Sequence, residues 1–406
     1  MKILHIISQS PDFTGSGKFI LELIRQSAIK GHENYLVAGV QAEFEMPGSV
    51  IDPDHCLFVR FDGKDLDYPI PGMSDVMPYP SSVFSTLGQA DHVAYQRVFE
   101  EKIRQAMDRF QPELLHTHHL WVVSALARTI APGIPMVTTC HGTCLRQHYL
   151  CPDIGRQIKK DLQKIDQIIA LSGDQRQTIV ETLGVDPLKI HVISGGYNPS
   201  CFFYDPKAFH GVVELVYAGK LSSAKGVPWL LKSLEQIGDL PFRLHMAGSS
   251  TGREKERCLA LARRLGSKVV YHGPLSHAGL GALMRSAHIF ILPSFYEGLP
   301  LVLMEALACG CRIITTALPG AKEIFGTDHA FMIKMIDLPK LKTIDTPHAK
   351  DMVNLESLLA RTVKQGIEDI LTTAEPDRVF VDSVTSQFTW EKIFLRIETV
   401  YTRVCR

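Results

Sequence analysis

Hydrophobic residues come in short solid blocks along this chain, and the blocks are separated by stretches in which apolar positions recur at helical spacing. Residues 2–7 form the first block, 19–29 repeat apolar residues with the period of a helix and end in Lys30-Gly31, and 35–40 form a second block. A block that is apolar on both faces predicts a central strand of a parallel sheet, so this opening predicts a strand–helix–strand unit. Further strands are expected at 112–117, 135–139, 167–171 and 189–193. The pattern then starts afresh with strands at 212–218, 243–247, 269–272, 288–292 and 312–315, and a helix begins at Pro228. A closing helix is expected over 388–404. The fold class this predicts is α/β, with two Rossmann-like, doubly wound parallel sheets. The predicted boundaries are 1–207 for a first domain, rejoined by 388–406, and 208–387 for a second, with 204–210 as the linker.

Length supports the division, because 406 residues exceed one ordinary core. Composition narrows the function only by exclusion. With 43 basic and 43 acidic residues the chain has no net charge and no basic signature of a nucleic-acid binder. The apolar stretches are too short and interrupted to cross a bilayer, so a cytoplasmic protein is expected, one compatible with peripheral membrane contact. Nine cysteines at irregular spacing do not make a disulfide framework and are expected to be reduced. Cys140, His141, Cys144, His148 and Cys151 crowd together, yet the second Cys pair usual in a structural zinc site is missing. Asp52-Pro-Asp54 and Asp65-Leu-Asp67 match a metal-holding Asp-x-Asp pattern, but both sit where turns favour aspartate anyway. No metal is expected.

The stretch from Ser294 to Gly310 carries the most chemistry. Pro293 stops a buried strand, Pro300 suits the first position of a helix, and Gly310 suits its end. Glu297 falls in the loop between them and Glu305 in the helix, four residues after Leu301. The carboxyl ends of strands are where open α/β sheets bind ligands, helix N-termini attract phosphate, and carboxylates accept hydrogen bonds from paired hydroxyls. A nucleotide sugar offers diphosphate, ribose and hexose together. Two solvated surface acids are the plainer reading, but Glu305 lies in a nearly all-apolar helix, where a charge without a partner is costly.

Glu297-x7-Glu305, within Phe-Tyr-Glu-Gly-Leu-Pro-Leu-Val-Leu-Met-Glu-Ala-Leu-Ala-Cys-Gly, resembles the Glu-x7-Glu signature of retaining GT-B glycosyltransferases of family 4. The resemblance implies a GT-B fold, two facing domains with the active site in the cleft between them. It also implies a UDP, GDP or ADP sugar as donor, an acceptor it does not identify, and a retaining transfer without cofactor. Glu297 would then act on the transferred sugar, Glu305 on the ribose, and Gly298, Leu299 and Leu301 would line the phosphate-binding turn. Gly219-Lys220 and Lys225-Gly226 resemble the family's Gly-Arg…Lys-Gly loop, whose cations hold the diphosphate, with Lys220 in place of arginine. His141-Gly142 matches the cleft histidine beside the sugar, and Gly273-Pro-Leu275 the backbone grip on the base. Gly15 and Gly17, whose spacing fails the dinucleotide pattern at Ile20, correspond to the family's glycine-rich first loop.

Some features stay open. His116, His118 and His119 are candidates for acceptor contacts. Residues 61–89 lose all periodicity and carry Pro69, Pro71, Pro78 and Pro80 with Gly63 and Gly72, which suits either a lid over the acceptor or a surface excursion. Gly195-Gly-Tyr-Asn198 stands where the family has Asn-Gly-Val-Asp. A sugar-nucleotide epimerase or phosphorylase on the same fold, or a binding protein without turnover, remains an alternative.

Overall fold

The computed structural model describes every residue except 12–13, 47–49, 75–76, 78, 251, 327–330 and 374. Pro78 therefore lies outside the described residues. The chain folds as two compact units, Met1–Gly195 with Trp390–Arg406, and Gly196–Thr389. The division falls at 195 rather than 207. Tyr197 donates its N–H to the Phe388 carbonyl, and Phe202 is buried in the second unit's core, so the expected linker is already part of that unit. Lys207, within it, donates to the carbonyls of Met284, at 3.0 Å, and Ala287.

The first unit is built on a parallel sheet of seven strands: β1 (Lys2–Ile7), β2 (Glu33–Val40), β3 (Cys56–Arg60), β6 (Leu114–His118), β7 (Met136–Cys140), β8 (Gln167–Ala170) and β9 (Ile190–Val192). Two two-residue strands, β4 (Pro71–Gly72) and β5 (Ser82–Val83), pair separately. The order β3-β2-β1-β6-β7-β8-β9 changes direction between β1 and β6, which makes that gap the switch point. Mid-strand residues of β1, β2, β6, β7 and β8 are buried, as expected of strands covered on both faces, while the edge strands β3 and β9 are partly exposed.

The second unit repeats the plan with β10 (Val213–Ala218), β11 (Phe242–Ala247), β12 (Val269–Gly273), β13 (Ile289–Leu292), β14 (Arg312–Thr316) and β15 (Ile333–Ile336), in the order β12-β11-β10-β13-β14-β15. Here the switch point lies between β10 and β13, the two strands that run into the lysine loop and the Glu297 loop. The helix Met352–Thr372 covers this sheet, with Leu359, Val363 and Ile367 in its core.

The closing helix, Trp390–Val404, packs on the first unit although it follows the second in sequence. Trp390 meets Phe19 edge-on at 5.1 Å between ring centres, and the Tyr401 hydroxyl is hydrogen-bonded to His116 Nδ1 at 2.5 Å. Its apolar stripe, Ile393, Phe394, Ile397, Val400 and Tyr401, accounts for the docking.

The described residues of 61–89 are mostly irregular but largely packed. Phe61, Leu66, Ile70, Met73, Tyr79 and Phe84 are buried in the first unit's core. The Gln9 amide holds the segment to the end of β1, donating to the Pro71 carbonyl at 2.8 Å and accepting from the Tyr79 hydroxyl at 3.1 Å. Proline removes backbone donors, and side chains supply the missing links.

Candidate active site

In the second unit the chain leaves β13 at Pro293 and crosses to the helix Leu301–Ala308. The Glu297 carboxylate is gripped on both oxygens: Ser294 Oγ donates to Oε1 at 2.7 Å, and Lys225 Nζ donates to Oε2 at 2.7 Å. Both partners of the ion pair are largely covered, with side chains 28% and 14% exposed, so solvent screens it less than a surface pair.

Glycine makes this approach of the two loops feasible. Gly226 has φ +70, and a Cβ on it would come within 2.0 Å of the Pro293 carbonyl oxygen. Phe295 also donates its N–H to the Ala224 carbonyl at 2.9 Å. The loops after β10 and β13 are thus bonded into one rim. From below, Thr316 Oγ1 donates to the Ser294 carbonyl at 2.6 Å. Trp229 stacks on Phe295 at 5.1 Å.

Lys220 lies on the exposed side of that rim. Its ammonium pKa is lowered, first by the protein packed around it and second by the Lys225 cation, with Glu297 opposing the shift. The Tyr217 hydroxyl donates to the Lys220 carbonyl at 2.6 Å and fixes the loop's entry. The helix starts at Leu301, with Pro300 as its cap residue rather than its first turn. No side chain caps it and no acid stands in its first turn, which leaves its positive end unneutralised. Gly298 is exposed, Leu299 and Leu301 are half-buried against the core, and Glu305 is half-buried one turn beyond Leu301. Lys220, Lys225 and Glu297, up to 77 residues apart in the chain, are thus brought to one switch point, and the helix that carries Leu301 and Glu305 starts from it.

In the first unit, helix Gly15–Ile29 begins four residues earlier than the hydrophobic period suggests, so Gly15 and Gly17 lie in its first turn rather than in a loop. Thr14 caps it, accepting from the Gly17 N–H at 2.9 Å. A Cβ on Gly17 would come within 2.7 Å of the Ser10 carbonyl, whereas one on Gly15 would meet nothing within 4 Å.

His141 follows β7 and His118 ends β6. Their rings stack at 5.3 Å, and His118 Nδ1 is hydrogen-bonded to His141 Nε2 at 3.0 Å. Burial, chiefly, holds both imidazoles well below their ordinary pKa, so both are neutral at pH 7. His118 Nε2 has no partner in its buried position. An unpaired acceptor there costs less than an unpaired N–H, so the favoured tautomer has His118 donating from Nδ1 and His141 carrying its proton on Nδ1. His119 adopts φ 72, unusual outside glycine, and its ring centre is 4.8 Å from that of His141. His116 stacks on His118 at 4.7 Å between ring centres and is bonded to Thr139 Oγ1 at 2.8 Å and to Tyr401.

The Asp-x-Asp and Cys/His patterns set aside above do not gather ligands in the structure. Asp52 caps the turn Pro53–His55 and Asp65 accepts from the Arg60 N–H at 2.7 Å, so both are engaged in turns. Cys140 and Cys144 have their sulfurs 3.5 Å apart, but His148 turns to the Leu120 carbonyl and Cys151 to Gln147. Among the described residues, His5, His116 and His118 do bring one ring nitrogen each within 4.8 Å of the others. His116 has both nitrogens bonded already, so it would have to give one up to bind an ion.

Ser294, Tyr217 and His118 were not singled out as supports of the site, because their roles depend on which loops meet. Among the described residues, no helix is long and apolar enough to cross a membrane.

Two family models account for most of the chain: Glycosyltransferase Family 4 matches residues 13–200 and Glycosyl transferases group 1 matches 205–335. The chain belongs to the group 1, family 4 glycosyltransferases, and its two parallel-sheet units have the GT-B fold. It is 28% identical over 225 residues to glycogen synthase of Mycobacterium tuberculosis, covering 53% of this chain and 54% of that protein. A D-inositol 3-phosphate glycosyltransferase of Pseudarthrobacter chlorophenolicus is 25% identical over 255 residues, covering 55% and 59%. The chain thus spans little more than half the length of these curated relatives. Among solved structures, Anabaena Alr3699/HepE in complex with UDP and glucose superposes with a TM-score of 0.71 at 17% identity, covering 99% of each chain.

Proposed function

We propose that this protein is a retaining glycosyltransferase that moves a sugar from a nucleoside-diphosphate sugar to an acceptor hydroxyl without a metal or cofactor. The observation that carries this reading is the Glu297 carboxylate, held between Lys225 and Ser294 at the switch point of the second unit. In this reading the diphosphate lies over the Lys220–Lys225 loop and the start of helix Leu301–Ala308, and Glu305 takes the ribose. Gly273-Pro-Leu275, following β12, borders the base.

Glycosyl transfer breaks the bond between the anomeric carbon and a diphosphate oxygen, leaving positive charge on the sugar and negative charge on the phosphate. In this reading Lys225 serves both, since its ammonium neutralises the departing phosphate while holding the Glu297 carboxylate in place beside the sugar. The acceptor oxygen then bonds to the same face of the anomeric carbon and its proton passes to the leaving phosphate oxygen. His141 is assigned by the family resemblance to a sugar hydroxyl, with its Nδ1–H as donor.

A nucleotide-sugar panel incubated with candidate acceptors, with and without EDTA, tests this. Sugar transfer with the donor's anomeric configuration kept, unaffected by chelation, is expected. Inverted product, or activity abolished by EDTA and restored by magnesium or manganese, would overturn the corresponding part.

A further inference from the structure

On the first unit, a cavity of about 420 Å³ opens along the edge of the sheet, lined by Arg176, His191, Arg396 and Arg403 with only neutral residues between them. Among the described residues no carboxylate lines it. Arg396, Thr399, Val400 and Arg403 follow one another at helical spacing and turn one stripe of helix Trp390–Val404 toward the edge strand β9. Arg176 reaches the cavity from helix Gly173–Leu183.

Two of the three guanidinium groups are pinned rather than loose. Arg176 Nη2 donates to the Pro187 carbonyl at 3.0 Å and Arg396 Nη2 to the Val192 carbonyl at 2.8 Å. The Arg176 Nε–H is buried and makes no hydrogen bond, a cost that an anionic acceptor in the cavity would remove. Like charges gathered without a counter-charge repel one another, and guanidinium forks match phosphate oxygens in pairs. The fields of Arg403 and Arg176, after burial, lower the pKa of the His191 imidazole between them. The volume falls in the range of small-molecule sites.

We propose that this cavity is an anion site for a phosphate group, separate from the donor-binding loops. β9 is two strands from β7, whose end carries His141, which is roughly 10 Å across the sheet at ordinary strand spacing. The phosphate can belong to a free phosphorylated metabolite or to a lipid headgroup. Its binding does not depend on the transferase reading, because none of its residues belongs to the unit that carries the Lys225–Glu297 pair.

The full-length protein tests this in two arms, each with wild type and Arg396→Ala/Arg403→Ala. In the first, inorganic phosphate is titrated while the His191 ring signals are followed by NMR. In the second, the protein is pelleted with vesicles of phosphatidylcholine, with or without phosphatidylglycerol. Saturable His191 shifts, weakened at least about tenfold in the double variant as loss of two charge-assisted contacts requires, would identify a site open to free phosphate. Pelleting that needs phosphatidylglycerol and is lost in the variant would identify the lipid headgroup as the source. No response in either arm, or equal responses in both proteins, would overturn the proposal.

Discussion

Lys225 and Glu297, 72 residues apart in the chain, form a 2.7 Å ion pair across two loops that glycine allows to touch. The lysine therefore has two tasks in the proposed reaction, holding Glu297 and meeting the diphosphate. Lys225→Ala is expected to weaken nucleoside diphosphate binding by about 1.5 to 3 kcal/mol and to lower kcat as well. Calorimetry and steady-state kinetics check this. Unchanged diphosphate affinity in a folded variant would remove Lys225 from the phosphate site.

Glu305 is assigned to the ribose, so its loss should be felt by the nucleoside and not by the phosphates. Glu305→Ala is expected to weaken UDP, GDP or ADP binding while leaving inorganic pyrophosphate affinity unchanged. Equal losses for both ligands in calorimetry would reassign the residue.

Gly226 should tolerate no side chain. With φ +70 and a Cβ that would lie 2.0 Å from the Pro293 oxygen, Gly226→Ala must push the two loops apart. A loss on the order of 2 kcal/mol or more in denaturant unfolding is expected, together with weaker diphosphate binding. Wild-type stability and affinity in this variant would show that the loops need no such close contact.

The buried histidines of the first unit predict acid sensitivity. Burial brings His5 from near 6.5 to about 4 and holds His116, His118 and His141 well below their ordinary value. The unfolded chain therefore takes up protons near pH 6.5 that the folded one refuses. Their contribution is fully present above pH 6.5 and is lost as pH falls toward 4, with His5 alone worth on the order of 3 kcal/mol. Tm measured from pH 7.5 down to 4.5 should fall below about 6.5, and His5→Asn should flatten the slope. A flat profile would contradict the burial of neutral imidazoles.

Much of this architecture was legible because buried parallel strands leave solid apolar blocks. The strands at 213–218, 242–247 and 289–292 were found almost to the residue. β3 was missed because Cys56–Arg60 is short and half-exposed, and β15 because Ile333–Ile336 alternates too briefly to register. The start of helix Gly15–Ile29 was hidden because its first turn carries two glycines, which no propensity argument places in a helix. The Glu-x7-Glu spacing pointed to the site, but its supports did not show: the grip of Ser294 on Glu297, the contact of His118 with His141 and the cationic edge beside β9 all depend on residues that only the fold brings together.

Glu297 carries the central claim, and Glu297→Gln tests it most directly, because the amide keeps the shape and removes the charge that would face the developing positive sugar. A carboxylate in that role matters more in the transition state than in the ground state. Steady-state kinetics with the active nucleotide sugar should show kcat lowered by about two orders of magnitude or more, with nucleoside diphosphate affinity nearly unchanged. Normal turnover by Glu297→Gln, or a loss explained wholly by weaker nucleotide binding, would contradict the account.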